Sequence, residues 1–167
     1  VVAENSWAAF QGKKALHVTY DDGPFAKVST PEIFARMEKL AQTREGAIEF
    51  VKRGSIVPGT VVDATYYGPA VAHAAMEPMN ATASVTSDGV EIWAPTQVQT
   101  FAQASAVKIA GVTLDQVKVH TTYLGGGFGR RLYTDFSDDA VEVSKAIKAP
   151  VQVIWQREDD TKHDWYK

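Results

Sequence analysis

The run Tyr123-Leu-Gly-Gly-Gly-Phe-Gly-Arg-Arg131 constrains this chain most, because a strand-like segment, Val117 to Tyr123, empties there into four glycines, an aromatic residue and two arginines. Without a Cβ, Gly125, Gly126, Gly127 and Gly129 tolerate positive φ. They let bare backbone approach a ligand, and can turn several N–H groups toward one anionic or dithiolene-like group. Arg130 and Arg131 add charge suited to phosphate. The same letters also suit a glycine-rich turn with solvated arginines. Spacing excludes two familiar motifs: the third glycine of the dinucleotide fingerprint is missing, and no Gly-Lys-Ser/Thr follows for a phosphate-binding P-loop. Glu142 stands near the distance of a ribose-binding acid, but inside a predicted helix.

The pattern along the chain predicts an α+β fold, a two-layer sandwich with helices packed on one face of a mixed sheet. Residues 3–13 read as a helix offering Trp7, Ala8 and Phe10 for burial. A strand from Leu16 to Tyr20 and a turn at Asp21-Asp22-Gly23-Pro24 follow. Ser29 or Thr30 caps a second helix whose Ile33, Phe34, Met37, Leu40 and Ala41 form an apolar stripe expected to pack in a core. Another helical stretch spans about Arg44 to Lys52, ending at Gly54. Val61 to Tyr67 reads as a strand, and Ala81–Thr86 pairs with Val90–Ala94 across Ser87-Asp88-Gly89. A helix capped by Thr96 runs from Gln97 to Ile109, a further helix from Phe136 to Ile147, and Val151 to Trp155 closes the sheet. These elements divide the chain into residues 1–28, the edge of a preceding lobe; 29–59, a helical connection; and 60–167, the main α+β domain.

Composition narrows the function classes. With 45% hydrophobic and 22% charged residues the 167-residue chain can bury a core, and its net charge of −3 offers no basic surface for nucleic acid. Without cysteine it forms no disulfide, zinc ribbon or iron–sulfur site of its own. His17, His73, His120 and His163 show no metal-ligand spacing, and no apolar run reaches the ~20 residues of a membrane span, so no transmembrane segment is expected. Starting at Val1 and ending just after a charged stretch, the chain reads as a piece of a longer one.

Three further segments accompany the glycine turn: His73-Ala-Ala-Met-Glu-Pro-Met-Asn80, Trp93-Ala-Pro-Thr-Gln97 and Pro150-Val-Gln-Val-Ile-Trp-Gln-Arg-Glu158. In this order, with Gly-Gly-Gly-Phe-Gly-Arg-Arg between the second and third, they resemble the large subunit of the molybdenum hydroxylases. That is the xanthine dehydrogenase and aldehyde oxidase family, and within it the isoquinoline 1-oxidoreductase beta-subunit branch. The resemblance covers most of residues 60 to 160, and the stretch from Val2 to Leu16 is similar to what precedes them in that branch.

The resemblance implies a molybdopterin cofactor with molybdenum, of the molybdopterin cytosine dinucleotide type, in the intact protein and none in the isolated piece. It implies that the Gln97 amide hydrogen-bonds an oxygen on the metal, and that Gly126, Gly127, Phe128 and Gly129 lie against the cofactor. Phe128 walls the site, unless it is simply a core aromatic. Arg130 and Arg131 help to hold phosphates. His73 and Glu77 line the substrate approach, although a structural carboxylate paired to His73 would leave the same letters. The implied reaction hydroxylates N-heteroaromatic rings or oxidises aldehydes with water as the oxygen source. Arg130, Arg131 and Leu132 stand where the purine-oxidising branch has an acidic residue, so purines are not expected. Electrons leave through a small iron–sulfur subunit with 2Fe–2S clusters. The general-base glutamate belongs to a segment absent from this chain, and Glu158 reads as part of a solvated turn. Remaining lobes of the same subunit are further expected partners. A cofactor-free module with the family fold and an unrelated anion-binding domain using Arg130 and Arg131 are the alternatives.

Overall fold

Asn5 accepts a hydrogen bond from the Ala8 N–H and opens helix α1 (Ser6–Ala15) in the computed structural model, which describes residues 1–55 and 57–165. The chain divides into two compact units, residues 1–65 and 66–167. In the first unit, Ser29 and Glu32 form a reciprocal capping box, with Pro31 in the first turn of helix α2 (Thr30–Thr43). Three expectations fail: Leu16–Tyr20 and Val61–Tyr67 are not strands, and Arg44–Lys52 is a turn followed by irregular chain. Arg44 (φ 54°) adopts the left-handed conformation that ends α2, and Gly46 (φ 73°) is left-handed as well, which breaks the stretch where another helix would begin. The α2 stripe is not a core either, since Ile33 and Met37 are exposed and no described residue of this unit is buried.

The second unit is built on a four-stranded sheet in the order β3-β2-β1-β4. Strands β1 (Asn80–Val85) and β2 (Val90–Ala94) pair antiparallel across the turn ending at Gly89 (φ +153°), where any Cβ would lie 2.3 Å from the Gln116 carbonyl oxygen. Helix α3 (Gln99–Ala110) then crosses over to β3 (Val117–Thr121), which lies parallel to β2. A helical crossover is what a parallel neighbour requires. After helix α4 (Asp135–Ile147), β4 (Val151–Ile154) returns antiparallel to β1, and a short helix α5 (Arg157–Lys162) follows. The chain is thus α+β with a mixed sheet, as its pattern predicts.

Alternation sorts the strands into two faces. Ala81, Ala83, Val90, Ile92, Ala94 and Val117 turn inward and meet Ala106 of α3 and Phe136, Ala140 and Val141 of α4. Alanines on β1 let α4 approach closely, so that Ser144 of α4 reaches the sheet: its hydroxyl accepts from the Val85 N–H (3.0 Å) and donates to the Ala149 carbonyl (2.8 Å). The opposite face carries Glu91, Trp93, Lys118 and His120, with Trp93 and His120 stacked at 5.0 Å. Thr96 does not cap α3, whose N-cap is Val98; its hydroxyl instead accepts from the Val98 N–H and donates to the Arg131 carbonyl. Gln97 therefore stays in the loop that leaves β2. Likewise Tyr123 lies beyond the end of β3 and is fully exposed.

Candidate cofactor site

Because β2 and β3 are parallel neighbours, the segments leaving their carboxyl ends emerge side by side. One carries Gln97, the other Gly125 to Arg131. The two are stitched together backbone to backbone and backbone to side chain: Gln97 N–H donates to the Arg131 carbonyl (3.1 Å), while Gln97 Oε1 accepts from the N–H groups of Gly129 (3.1 Å) and Arg131 (3.2 Å). Two N–H donors fix which end of the amide is oxygen, because an amide nitrogen cannot accept. The Gln97 Nε2 is left as a donor with no hydrogen-bond partner among the described residues.

The glycines have specific steric reasons. A Cβ on Gly127 would fall 2.6 Å from Gln97 Oε1, and one on Gly125 would fall 2.3 Å from the Glu77 Cβ. Gly126 and Gly129 adopt φ of +103° and +99°. Phe128, between them, also has a positive φ (55°), and so has Ala74 (45°) on the facing loop; neither closes a helix. Such conformations in non-glycine residues mark stored strain, of the kind that gathers at ligand sites. Phe128 is 64% exposed and takes no part in the core of this unit.

Glu77 anchors the turn from the opposite side. Its Oε2 accepts from the Gly125 N–H (2.9 Å) and from Arg131 Nη2 (2.8 Å), its Oε1 accepts from Asn80 Nδ2 (2.9 Å), and its backbone N–H donates to the Gly125 carbonyl. It does not pair with His73, whose Nδ1 faces Asp164 Oδ1 at 3.0 Å; the His73 N–H donates to the same carboxylate. The expected Glu77–His73 pair is therefore absent: Glu77 is held by Arg131, Gly125 and Asn80, and His73 by Asp164.

Arg130 and Arg131 are not the solvated arginines of an ordinary surface turn, since both side chains are almost wholly buried. Arg130 forms a two-pronged bond with Asp135 (2.9 and 2.8 Å) and lies over Trp155. Its Nε is 3.1 Å from Asp164 Oδ1, within ion-pair range but out of line for a hydrogen bond. Arg131 donates from Nε to the Gly126 carbonyl and from Nη2 to the Glu77 carbonyl, and its guanidinium lies over Phe136. Burial pushes its pKa down, with Glu77 opposing that shift. Arg131 Nη1 is buried with no hydrogen-bond partner among the described residues.

Asp135, Arg157, Asp160 and Asp164 escaped the sequence reading. Arg157 Nη1 donates to Asp160 Oδ2 (2.6 Å), and its Nη2 donates to the carbonyls of Ala75 and Met76, tying the end of the sheet to the loop that carries Glu77. Burial raises the Asp160 pKa, with Arg157 opposing. The Arg157/Asp160 spacing of a helical i,i+3 pair was the available signal, masked by reading Arg157-Glu158-Asp159-Asp160 as a solvated turn; Glu158 lies instead in the first turn of α5. Among the described residues no cluster of His, Cys, Asp or Glu could hold a metal ion, and no helix is long and apolar enough to cross a membrane.

Residues 39–164 match the family described as the molybdopterin cofactor-binding domain, and the chain belongs to this family. It is 41% identical over 98 residues to the isoquinoline 1-oxidoreductase subunit beta of Brevundimonas diminuta, covering 58% of this chain and 12% of that protein. It is 33% identical over 174 residues to a membrane-bound aldehyde dehydrogenase (pyrroloquinoline-quinone) of Gluconacetobacter polyoxogenes, covering 100% of this chain and 22% of that one. Among solved structures, CO dehydrogenase from Oligotropha carboxidovorans shares the fold with a TM-score of 0.51 at 22% identity, over 57% of this chain and 12% of that one. The chain thus spans 12% and 22% of the length of these two curated relatives. The family agrees with the resemblance that the four motifs carry.

Proposed function

We propose that residues 66–167 form the cofactor-holding part of the large subunit of a molybdenum-dependent oxidoreductase that hydroxylates N-heteroaromatic rings or oxidises aldehydes. The observation that carries this reading is the Gln97 amide, pinned through its oxygen so that Nε2 remains as a donor beside the glycine turn. The residues fit the group. The N–H groups of Gly126 and Gly127 make no hydrogen bond among the described residues, so three donors are available to electronegative atoms of a pterin–metal unit. An amide suits the metal side, since it donates without adding charge. Phe128 offers an exposed aromatic wall. His73 and Glu77 stand behind the turn rather than in open space, so their influence on substrate passes through the backbone they hold.

When bound, the molybdenum cofactor supplies the two-electron oxidation of a carbon centre with water as the oxygen source. This chain's share is to bind and orient: Gln97, Gly126 and Gly127 present donors, and the general base comes from outside it. Electrons pass to a partner bearing 2Fe–2S clusters; these 167 residues, which hold no cysteine, ligate none of them. The cytosine dinucleotide form belongs to the same proposal. The buried, carboxylate-paired state of Arg130 and Arg131 counts against an anion-binding domain that uses them as surface cations.

The test is to express the intact parent with its iron–sulfur partner and measure molybdenum, pterin and released nucleotide per chain, with dye reduction by isoquinoline and by a simple aldehyde. Stoichiometric metal and pterin with either activity is the expected result. The relative that aligns along the full chain is named for pyrroloquinoline quinone, so the same sample is extracted for that quinone. Finding it in place of metal and pterin would overturn the reading.

A further inference from the structure

We propose that Arg131 is a positioning residue: clamped to Glu77, it presets the Gln97 amide and the glycine turn, and it does not serve as a phosphate ligand. The inference rests on the cofactor reading above and assigns the work done behind the donors. Arg131 touches each part of the site from within. Its N–H donates to Gln97 Oε1 (3.2 Å), its carbonyl accepts from the Gln97 N–H (3.1 Å) and from the Thr96 hydroxyl (3.3 Å), and its Nε donates to the Gly126 carbonyl (2.8 Å). Its Nη2 meets both the carbonyl and the carboxylate of Glu77, each at 2.8 Å. Glu77 completes the clamp by gripping Gly125 through Oε2 and Asn80 through Oε1. The Arg131 backbone thus holds the amide, while its buried guanidinium ties the turn at Gly126 to Glu77 and so keeps that backbone in place, a job that needs the planar fork of arginine and that lysine's point charge cannot reproduce. Side chains that stand behind the groups touching a metal site, as Arg131 stands behind Gln97, set the orientation of those groups.

Glu77→Gln separates the two roles because they predict opposite signs. If Arg131 bound phosphate through its charge and its spare Nη1, removing the competing carboxylate would strengthen that binding. If it is a clamp, the same change weakens cofactor retention, since a glutamine oxygen cannot replace the carboxylate toward Arg131, Gly125 and Asn80 together. The parent protein, assembled with its partner, is assayed for molybdenum and pterin per chain, for the electron paramagnetic resonance of the reduced metal, and for its melting curve. The expected result is a folded variant that retains cofactor about 10- to 100-fold more weakly, with an altered spectrum. Unchanged or increased retention with an unaltered spectrum overturns the clamp. Should Glu77→Gln not fold, Gly127→Ala decides: its Cβ meets Gln97 Oε1 without removing any charge, so the clamp requires an altered spectrum, and an unaltered one rejects it. A wild-type parent without metal and pterin overturns the cofactor reading itself, and the clamp's purpose with it.

Discussion

Arg130 Nε and Asp164 Oδ1 lie 3.1 Å apart with both side chains 1% exposed, joining the glycine turn to the far end of the second unit. Asp164 also receives the His73 N–H. Removing it leaves Arg130 held by Asp135 alone and strands a backbone donor. Asp164→Ala is therefore expected to cost about 3–5 kcal/mol, the range for breaking a buried pair from one side. Urea unfolding followed by tryptophan fluorescence measures it; a change below about 1 kcal/mol would show that the pair is not structural.

Truncating Gln97 removes one acceptor from two N–H groups at once. Gln97→Ala should lower stability by about 1–3 kcal/mol and speed amide hydrogen exchange at Gly129 and Arg131 before it does so elsewhere in the sheet. Gln97→Glu keeps the acceptor and should leave those amides protected. Equal protection in both variants would contradict the hydrogen bonds described.

Two glycines separate packing from backbone strain. Gly125 needs its missing Cβ only for space, against Glu77, whereas at Gly111 an added Cβ would meet no atom within 4 Å but the φ is +78°. Gly125→Ala is expected to cost about 1–3 kcal/mol by overpacking and to disturb the Glu77 contacts. Gly111→Ala should cost about 1 kcal/mol and leave the site untouched. Melting curves, together with the amide shifts of Gly125 to Arg131, distinguish the two.

Asp138 gives a pH signature. Burial is the first cause raising its pKa above the ordinary 3.8, with hydrogen bonds from Thr134 and Ser105 opposing and the charges of Asp135 and Glu142 adding to the rise. The folded chain thus holds this proton to higher pH than the unfolded chain does. Stability attributable to Asp138 falls as pH rises from 3.8 through the raised folded value, and the loss is complete above it. Asp138→Asn keeps the bond from Thr134 and removes the penalty. Its gain in melting temperature over wild type should be present at about pH 7 and vanish near about pH 3; a pH-independent difference would refute the assignment.

The second unit was largely legible in the sequence because its signals are local. Asp88-Gly89 marks the hairpin, strict alternation marks β1 and β2, and the apolar face of Phe136 to Ile147 marks α4. Failure came where a local pattern lacked a packing partner: Val61 to Tyr67 has strand composition, yet no neighbouring strand pairs with it among the described residues. Thr96 and Gln97 show the same limit in the site. The Pro95-Thr96-Gln97 pattern looks like a helix start, but the Arg131 carbonyl competes for both residues and wins. Contacts between Glu77 and Arg131, or His73 and Asp164, depend on strand order, which spacing alone does not report.

The parallel pairing of β2 with β3 also makes the site indivisible from the sheet. Trp93 and Ala94 stand opposite His120 and Thr121, and only this register carries Gln97 and Gly129 to the same edge with one hydrogen bond between them. A slip of one residue would turn Val117 and Val119 out to solvent and swing Lys118 and His120 into the core. It would also carry the glycines out of reach of the amide. Misfolded copies with a rearranged sheet would therefore fail to capture cofactor, so that loading can act as a check on whether the two strands met correctly.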